Sequence, residues 1–337
     1  MTDFNIKSIT DEEIAEAESS YKKWLEENPN NFSFWFPKVS EAIPEGKFDV
    51  SIPKSMIIPV PYEVVKCIFL ENETDEETIM SWIRQEKISE RIKEFADGDS
   101  ILFMKNGCFS DKFDFDNACR LTRFDDDTIF SHFLRINQDS MMCGFNGAGG
   151  NTELIIRKYI PESPKSSYIY HGMPMRPEVR VFYDFTKQIL HYDVFYWDRL
   201  YCLDKIYDKE DKKTFKKVNR KLEDEYKRLF EQHKTQIMLA LREVKDLDGV
   251  WSVDFILEED KAWLIDMAIG SQSAYYEQDY IDKFGSQVSE YSYCKHHGQL
   301  ANQGITFCNA GGDPSDCENC KIKEIVNSVH ISSWAST

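Results

Sequence analysis

The stretch WSVDFILEEDKAWLIDMA, Trp251 to Ala268, limits the fold most tightly, because two aspartates sit inside otherwise apolar runs. Its halves flank Glu258, Glu259, Asp260 and Lys261 and read as two strands joined by a charged turn. Strand side chains alternate between faces, so the register of this hairpin decides where the acids point. A loop from Glu259 to Lys261 pairs Glu258 with Ala262 and brings Asp254 opposite Asp266. The other face then collects Val253, Phe255, Leu257, Trp263, Ile265 and Met267, all apolar. A two-residue loop would split that set, so the pattern favours both carboxylates on one face. Like charges directly opposite each other destabilise a hairpin unless something compensates them. A divalent metal held against phosphate oxygens is one compensator, and an edge hairpin whose aspartates face water fits the same residues equally well.

A chain of 337 residues with 42% hydrophobic and 14% aromatic content has enough apolar material for one elaborate core or two smaller ones. The net charge of −18 argues against non-specific nucleic-acid binding and against adhesion to an acidic membrane. The first residues, MTDFNIKSITDEEI, lack the basic head and apolar core of a signal peptide, and no apolar run approaches a membrane span. The nine cysteines are therefore expected as reduced thiols in a cytoplasmic protein.

Thr10 followed by Glu13 forms a capping box for a first helix, which Pro29 stops. SMIIPVPYEVVKCIFL reads as a short strand, a proline turn and a helix start. The segment TDEETIMSWIRQEKISERIKEFADG predicts one amphipathic helix ended by Gly98, followed by the strand SILFMKNG. Between Asp116 and Ile136 the pattern is mixed and reads as helix, and MCGFNGAGGNTE is a glycine-rich break. Gly144, Gly147, Gly149 and Gly150 there match neither a Walker A loop nor a dinucleotide fingerprint. LIIRKYI, EVRVFYDF and ILHYDVFYW read as strands, and a long helix spans about Lys209 to Val244, its Lys and Glu residues forming a solvated face.

Several strands carry charge. Lys105 leaves an apolar strand with Lys112 seven residues on, Arg157 and Lys158 end another, and Arg176, Glu178 and Arg180 punctuate a third. Each has an ordinary explanation: strand-end lysines anchor in solvent, and Glu178 with Arg180 fits a salt bridge. Equally, a strand arginine can stabilise a transferring phosphoryl group, and an apolar strand can present its backbone to an adenine edge.

In this order the parts resemble the ATP-grasp superfamily. The chain is most similar to its cell-division-cycle branch, assembly chaperones for the eukaryotic initiation factor that delivers initiator tRNA. The motifs are FSFWFP at Phe32 to Pro37, IIPVP at Ile57 to Pro61, FMKNGCFSDKFDF, IRKY, EVRVFY and DFI…AWLIDMAIG, spread from about residue 32 to residue 285. The resemblance implies an α+β fold with two subdomains sandwiching ATP and Mg²⁺, residues 32–150 and 151–290, after an N-terminal helix in 1–31. It implies that Lys105 and Lys112 contact phosphates, that Arg157, Lys158 and Tyr159 form the adenine hinge, and that Glu178 and Arg180 face the phosphates. Asp254 and Asp266 would bind Mg²⁺, and Arg180, Glu178 and Lys105 would act in catalysis. The family's reaction is carboxylate–amine ligation through an acylphosphate, here on a protein, peptide or amino-acid substrate. An assembly chaperone that binds ATP without ligase turnover is the alternative. The family places Asn two residues after the second Asp, where this chain has Ala268, leaving Ser271 and Gln272 as the nearest replacements.

The tail, residues 291–337, has few large apolar side chains. Cys317 and Cys320 form a CxxC that Cys294, His296 or His297, and Cys308 could complete as a structural Zn²⁺ site. Free thiols are the plain alternative.

Overall fold

A computed structural model describes residues 10–69, 75–142 and 150–278. The expected zinc ligands Cys294, His297, Cys308, Cys317 and Cys320 lie outside the described residues, as do Gly144, Gly147 and Gly149.

Helix α1 (Asp11–Glu27) carries the expected capping box, Thr10 with Glu13, and α2 (Phe32–Ala42) buries Phe32, Trp35 and Val39. Strands β1 (Val50–Ser51) and β2 (Ser55–Pro59) precede three helices, α3 (Tyr62–Phe69), α4 (Glu76–Gln85) and α5 (Ile88–Ala96). Then follow β3 (Leu102–Asn106), a 3₁₀ turn at Lys112–Asp114, α6 (Phe115–Ala118), β4 (Arg120–Leu121) and α7 (Asp126–Met142). The mixed segment from Asp116 therefore breaks into a short helix, a strand and a long helix. Next come β5 (Glu153–Lys158), β6 (Ser167–Ile169), β7 (Met173–Met175), β8 (Glu178–Asp184) and β9 (Ile189–Phe195). Helices α8 (Arg199–Leu203) and α9 (Lys209–Glu243) lead to the hairpin β10 (Val250–Leu257) and β11 (Ala262–Ile269).

Two main sheets result. One is four-stranded in the order β2-β5-β3-β4, and the other five-stranded in the order β1-β11-β10-β8-β9. The chain is thus α+β, as expected. Strand β5, which follows the expected boundary at residue 150, is an inner strand of the first sheet, and β1 runs parallel to β11 in the second. Helix α9 covers one face of the large sheet with Phe215, Leu222, Tyr226, Leu229 and Phe230 among its buried residues. No helix among the described residues is long and apolar enough to cross a membrane.

The segment predicted as one helix after residue 75 is two, because Lys87 adopts a left-handed backbone with φ of 50°. The apolar stripe explains the break. Ile79, Trp82 and Ile83 share a face, but the next apolar residue, Ile88, lies five positions on, a swing of about 140° at helical pitch. Splitting the segment lets each piece bury its own stripe.

The hairpin reaches the expected pairing by an unexpected route. Leu257 pairs with Ala262, and the Glu258 amide donates to the Lys261 carbonyl at 2.9 Å, so the loop is even. A β-bulge between Asp254 and Phe255 restores Asp254 opposite Asp266, while Phe255 faces Leu264 and Ile265 becomes the extra residue. The core face is consequently Val253, Phe255, Leu257, Ala262, Leu264 and Met267, all buried. Trp263 and Ile265, expected there, are half-buried instead.

The left-handed Lys87 is exposed, so a glycine relieves its backbone without losing packing. Lys87→Gly is expected to stabilise the chain by about 0.5 kcal/mol after the added entropy of the unfolded glycine. A urea midpoint at or below the parent's would contradict this.

Candidate active site

The inner faces of the two sheets meet across a cleft enclosing about 650 Å³ including its mouth. The antiparallel partners Phe103 and Arg157 put β3 and β5 side chains of one parity on the cleft face, with Lys105 and Tyr159. From the other sheet, Arg180, Asp254 and Asp266 lie in a row across β8, β10 and β11, each directly opposite the next. Glu178 stands two residues from Arg180 on the same face.

Each carboxylate of this face has a cation beside it. Arg180 grips Asp254 with two parallel hydrogen bonds, Nε to Oδ1 at 2.7 Å and Nη2 to Oδ2 at 2.8 Å. Lys105 is 1% exposed and donates to both oxygens of Asp266, at 2.8 and 2.9 Å. Lys112, on the 3₁₀ turn, lies 3.2 Å from Glu178 Oε1 and 3.4 Å from the Tyr196 hydroxyl. The opposed aspartates are therefore compensated by two cations of the chain itself.

Burial alone would raise the Asp266 carboxyl, but Lys105, Arg157 and Lys112 together hold it below its ordinary value. Burial likewise works against the Lys112 ammonium, and Glu178 and Tyr196 overcome it, keeping the lysine charged. Glu178 moves up through burial, with Lys112 opposing. The Tyr196 hydroxyl is pushed up to about 12 by burial, again against Lys112. Arg157 is pushed down to about 10 because burial outweighs the attraction of Asp266. Its Nη1 donates to the Ile265 carbonyl, and its buried Nε and Nη2 have no hydrogen-bond partner.

Of the residues expected at the site, Lys105, Lys112, Arg157, Tyr159, Glu178, Arg180, Asp254 and Asp266 converge on the cleft or its rim. Lys158 borders it, but its ammonium turns away to the Ala96 carbonyl and Asp99, each at 2.6 Å. Ser271 borders a separate cavity with Pro29, Phe34 and Trp251. Gln272 accepts a hydrogen bond from Asn30, so neither neighbour replaces the oxygen ligand missing at Ala268.

Other residues join the site only through tertiary contacts. Phe32 is fully buried, with the Lys105 ammonium 5.9 Å and the Arg157 guanidinium 5.5 Å from its ring centre. Asn30 accepts from the Ile269 amide at 2.7 Å, and Asn31 accepts from Asn151 at 2.7 Å. The stretch NPNN thus ties both sheets together, though in sequence it looks like a plain helix stop. Gly107 donates to Asn151 at 2.9 Å, and a Cβ there would sit 2.5 Å from Asn151 Oδ1 and Glu153 Oε2.

No protein-family model matches the chain, and no curated protein matches it in sequence. Solved structures do. The chain is similar to C-terminally truncated Cdc123 from Schizosaccharomyces pombe, at 17% identity over 76% of this chain and 91% of that one, with a TM-score of 0.45. It is also similar to a RimK domain ATP-grasp protein from Sphaerobacter thermophilus, at 12% identity, covering 77% of this chain and 63% of that one, with a TM-score of 0.30. For D-alanyl-alanine synthetase A from Vibrio cholerae the values are 11%, 71%, 55% and 0.24. What the cleft can do is decided by its own side chains.

Those side chains fit an anionic ligand. Four cations face the cleft, Lys105, Lys112, Arg157 and Arg176, against two carboxylates, Glu178 and Asp266, in a chain whose net charge is −18. For metal the fit is conditional. Among the described residues no three His, Cys, Asp or Glu side chains converge as a metal site. Asp254 and Asp266 would need phosphate oxygens to complete a shell, which is the usual habit of Mg²⁺.

Removing the Asp266 charge strands a buried ammonium. With the Asp266 side chain 29% exposed, Asp266→Asn is expected to cost about 2 kcal/mol, less than a fully buried pair would. The depressed carboxyl stabilises the fold above the unfolded aspartate value, about pH 4, and this contribution disappears as pH falls through the lower folded value. The parent should therefore lose more stability than Asp266→Asn on acidification below about pH 4. Parallel acid limbs in urea titrations would contradict the assignment.

Proposed function

We propose that the cleft binds a nucleoside triphosphate with Mg²⁺, ATP being the one that the motif resemblance implies. We read the chain as a carboxylate–amine ligase acting on a protein, peptide or amino-acid substrate. The observation that supports this most is the excess of buried cations in the cleft of an acidic chain, above all Arg157 with its unpartnered N–H groups. When bound, the nucleotide would supply a phosphoryl group to a substrate carboxylate, giving an acylphosphate open to attack by an amine.

The residues divide the work by charge. Lys105 and Arg180, now neutralising carboxylates, would turn to phosphate oxygens, leaving Asp266 and Asp254 to hold Mg²⁺. Lys112 is oriented by Glu178 and the Tyr196 hydroxyl, so it presents a fixed positive charge where oxygens of a transferring group gather charge. Ile256 and Ile265 line the same space and exclude water from it.

Ala268 supports a second reading, nucleotide binding without ligase turnover, as in an assembly chaperone. It lies two residues beyond Asp266 and supplies no side-chain oxygen.

The ligase reading expects purified chain with Mg²⁺, ATP and a panel of carboxylate and amine acceptors to release ADP and phosphate with a mass-shifted product. Tight nucleotide binding without ADP release across the panel would favour the second reading. Lys105→Met should weaken triphosphate binding about 10–100-fold, the worth of a charge-assisted hydrogen bond. Unchanged affinity would remove Lys105 from the site.

A further inference from the structure

Helix α9 carries its charges unevenly. From Lys209 to Lys221, seven of the thirteen residues are lysine or arginine and two are acidic, Glu210 and Asp211. Phe215, Asn219 and Leu222 are buried beneath the helix, and at helical pitch Lys209, Lys213, Lys216, Lys217 and Arg220 fall together on the opposite side. All five are exposed, and the next exposed residue in line is Asp224, where the stripe ends.

Like charges four residues apart destabilise a helix. Three such pairs lie within the stripe, Lys209 with Lys213, Lys213 with Lys217, and Lys216 with Arg220. Farther along, α9 pairs its cations: Lys227 lies 2.8 Å from Glu223, Lys234 lies 4.0 Å from Glu231, and Arg228 meets Glu259. On the stripe the one ion pair among the described residues is Lys213 with Glu210, at 3.3 Å. A purely solvated face mixes both signs, as the second half of α9 does. This one is cationic throughout, in a chain whose net charge is −18.

The length of the stripe selects what fits it. Lys209 to Arg220 spans about 17 Å of helix axis, the reach of about five residues of extended chain. Exposed charges act over about 8 Å at physiological salt, so a short anion feels the stripe and little of the acidic remainder. A nucleic-acid duplex, with a phosphate charge every ~1.7 Å, would run on past Asp224. The stripe also begins beside the cleft: the Asp211 carboxylate accepts the Tyr170 amide at 2.8 Å, and Met173 and Pro174, just beyond Tyr170, line the cleft wall.

We propose that an acidic segment of a partner polypeptide, rich in Asp or Glu and extended, docks along this face of α9. The surface is separate from the nucleotide cleft, so the proposal stands whichever of the two readings of that cleft holds. Charge complementarity on a short stripe confers orientation and speed of encounter, and it leads the bound segment toward the cleft.

Fluorescence anisotropy of labelled hexaglutamate titrated with the full chain tests this. Binding is expected at low salt and should weaken as salt is raised. Combined Lys216→Glu and Lys217→Glu should weaken it about ten-fold or more. Those acids would stand four residues from Lys212, Lys213, Arg220 and Lys221, so the variant is expected to keep its fold, with a urea midpoint at or above the parent's. Combined Lys93→Glu and Lys165→Glu, the same charge change elsewhere on the surface, should bind as the parent does. No binding of hexaglutamate by the parent, an affinity unchanged at Lys216 and Lys217, or an equal loss in the control variant would overturn the proposal. Tighter binding of an RNA duplex longer than the stripe would also overturn it, and that comparison needs no variant.

Discussion

The contact between Lys105 and Asp266 is where the two sheets become one site. A lysine 1% exposed in the middle of a strand is tolerable only with a fixed anion, and Asp266 comes from the opposite sheet at 2.8 Å. The pair fixes how β3 faces β11. It also explains why two aspartates can stand opposite each other, since Arg180 holds one and Lys105 the other. The repulsion expected of such a hairpin is removed by the protein itself.

Much of the surrounding structure serves that contact. Without the bulge that makes Ile265 an extra residue, an even loop would turn Asp266 toward the core beside Leu264 and turn Met267 out of it. Phe32 lies near both the Lys105 ammonium and the Arg157 guanidinium, and Asn30 and Asn31 fasten its helix to each sheet. The site is thus held from behind by the N-terminal segment. It is also self-neutralised: every carboxylate of the charged rows has a cation at hand, so an anionic ligand and a metal would each need a partner to be released.

How much of this was legible follows from physical periodicity. Helix α9, the capping box at Thr10 and the strands around Lys105, Glu178 and Asp254 were readable because their apolar residues recur at helical or strand spacing. The face shared by Asp254 and Asp266 was readable for the same reason, but the loop length was not. A bulge conserves the pattern at the acids while shifting it nearer the turn, so Leu264 replaces Ile265 in the core. Polar residues with tertiary partners gave no signal. Asn30, Asn151 and Tyr196 act through neighbours distant in sequence, and Arg176 looked like one more charge on a strand. The ammonium of Lys158 leaves the cleft for the opposite reason: strand alternation points it at α5, whose Ala96 carbonyl receives it.

The central claim is an exchange of partners, in which phosphate takes the cations and metal takes the aspartates. A crystal structure of the full chain with Mg²⁺ and a non-hydrolysable nucleoside triphosphate tests it most directly. The account predicts Lys105 Nζ and the Arg180 guanidinium on phosphate oxygens, with Asp254 and Asp266 on the metal. Nucleotide bound in the cleft beside intact Lys105–Asp266 and Arg180–Asp254 pairs, or bound elsewhere, would contradict it.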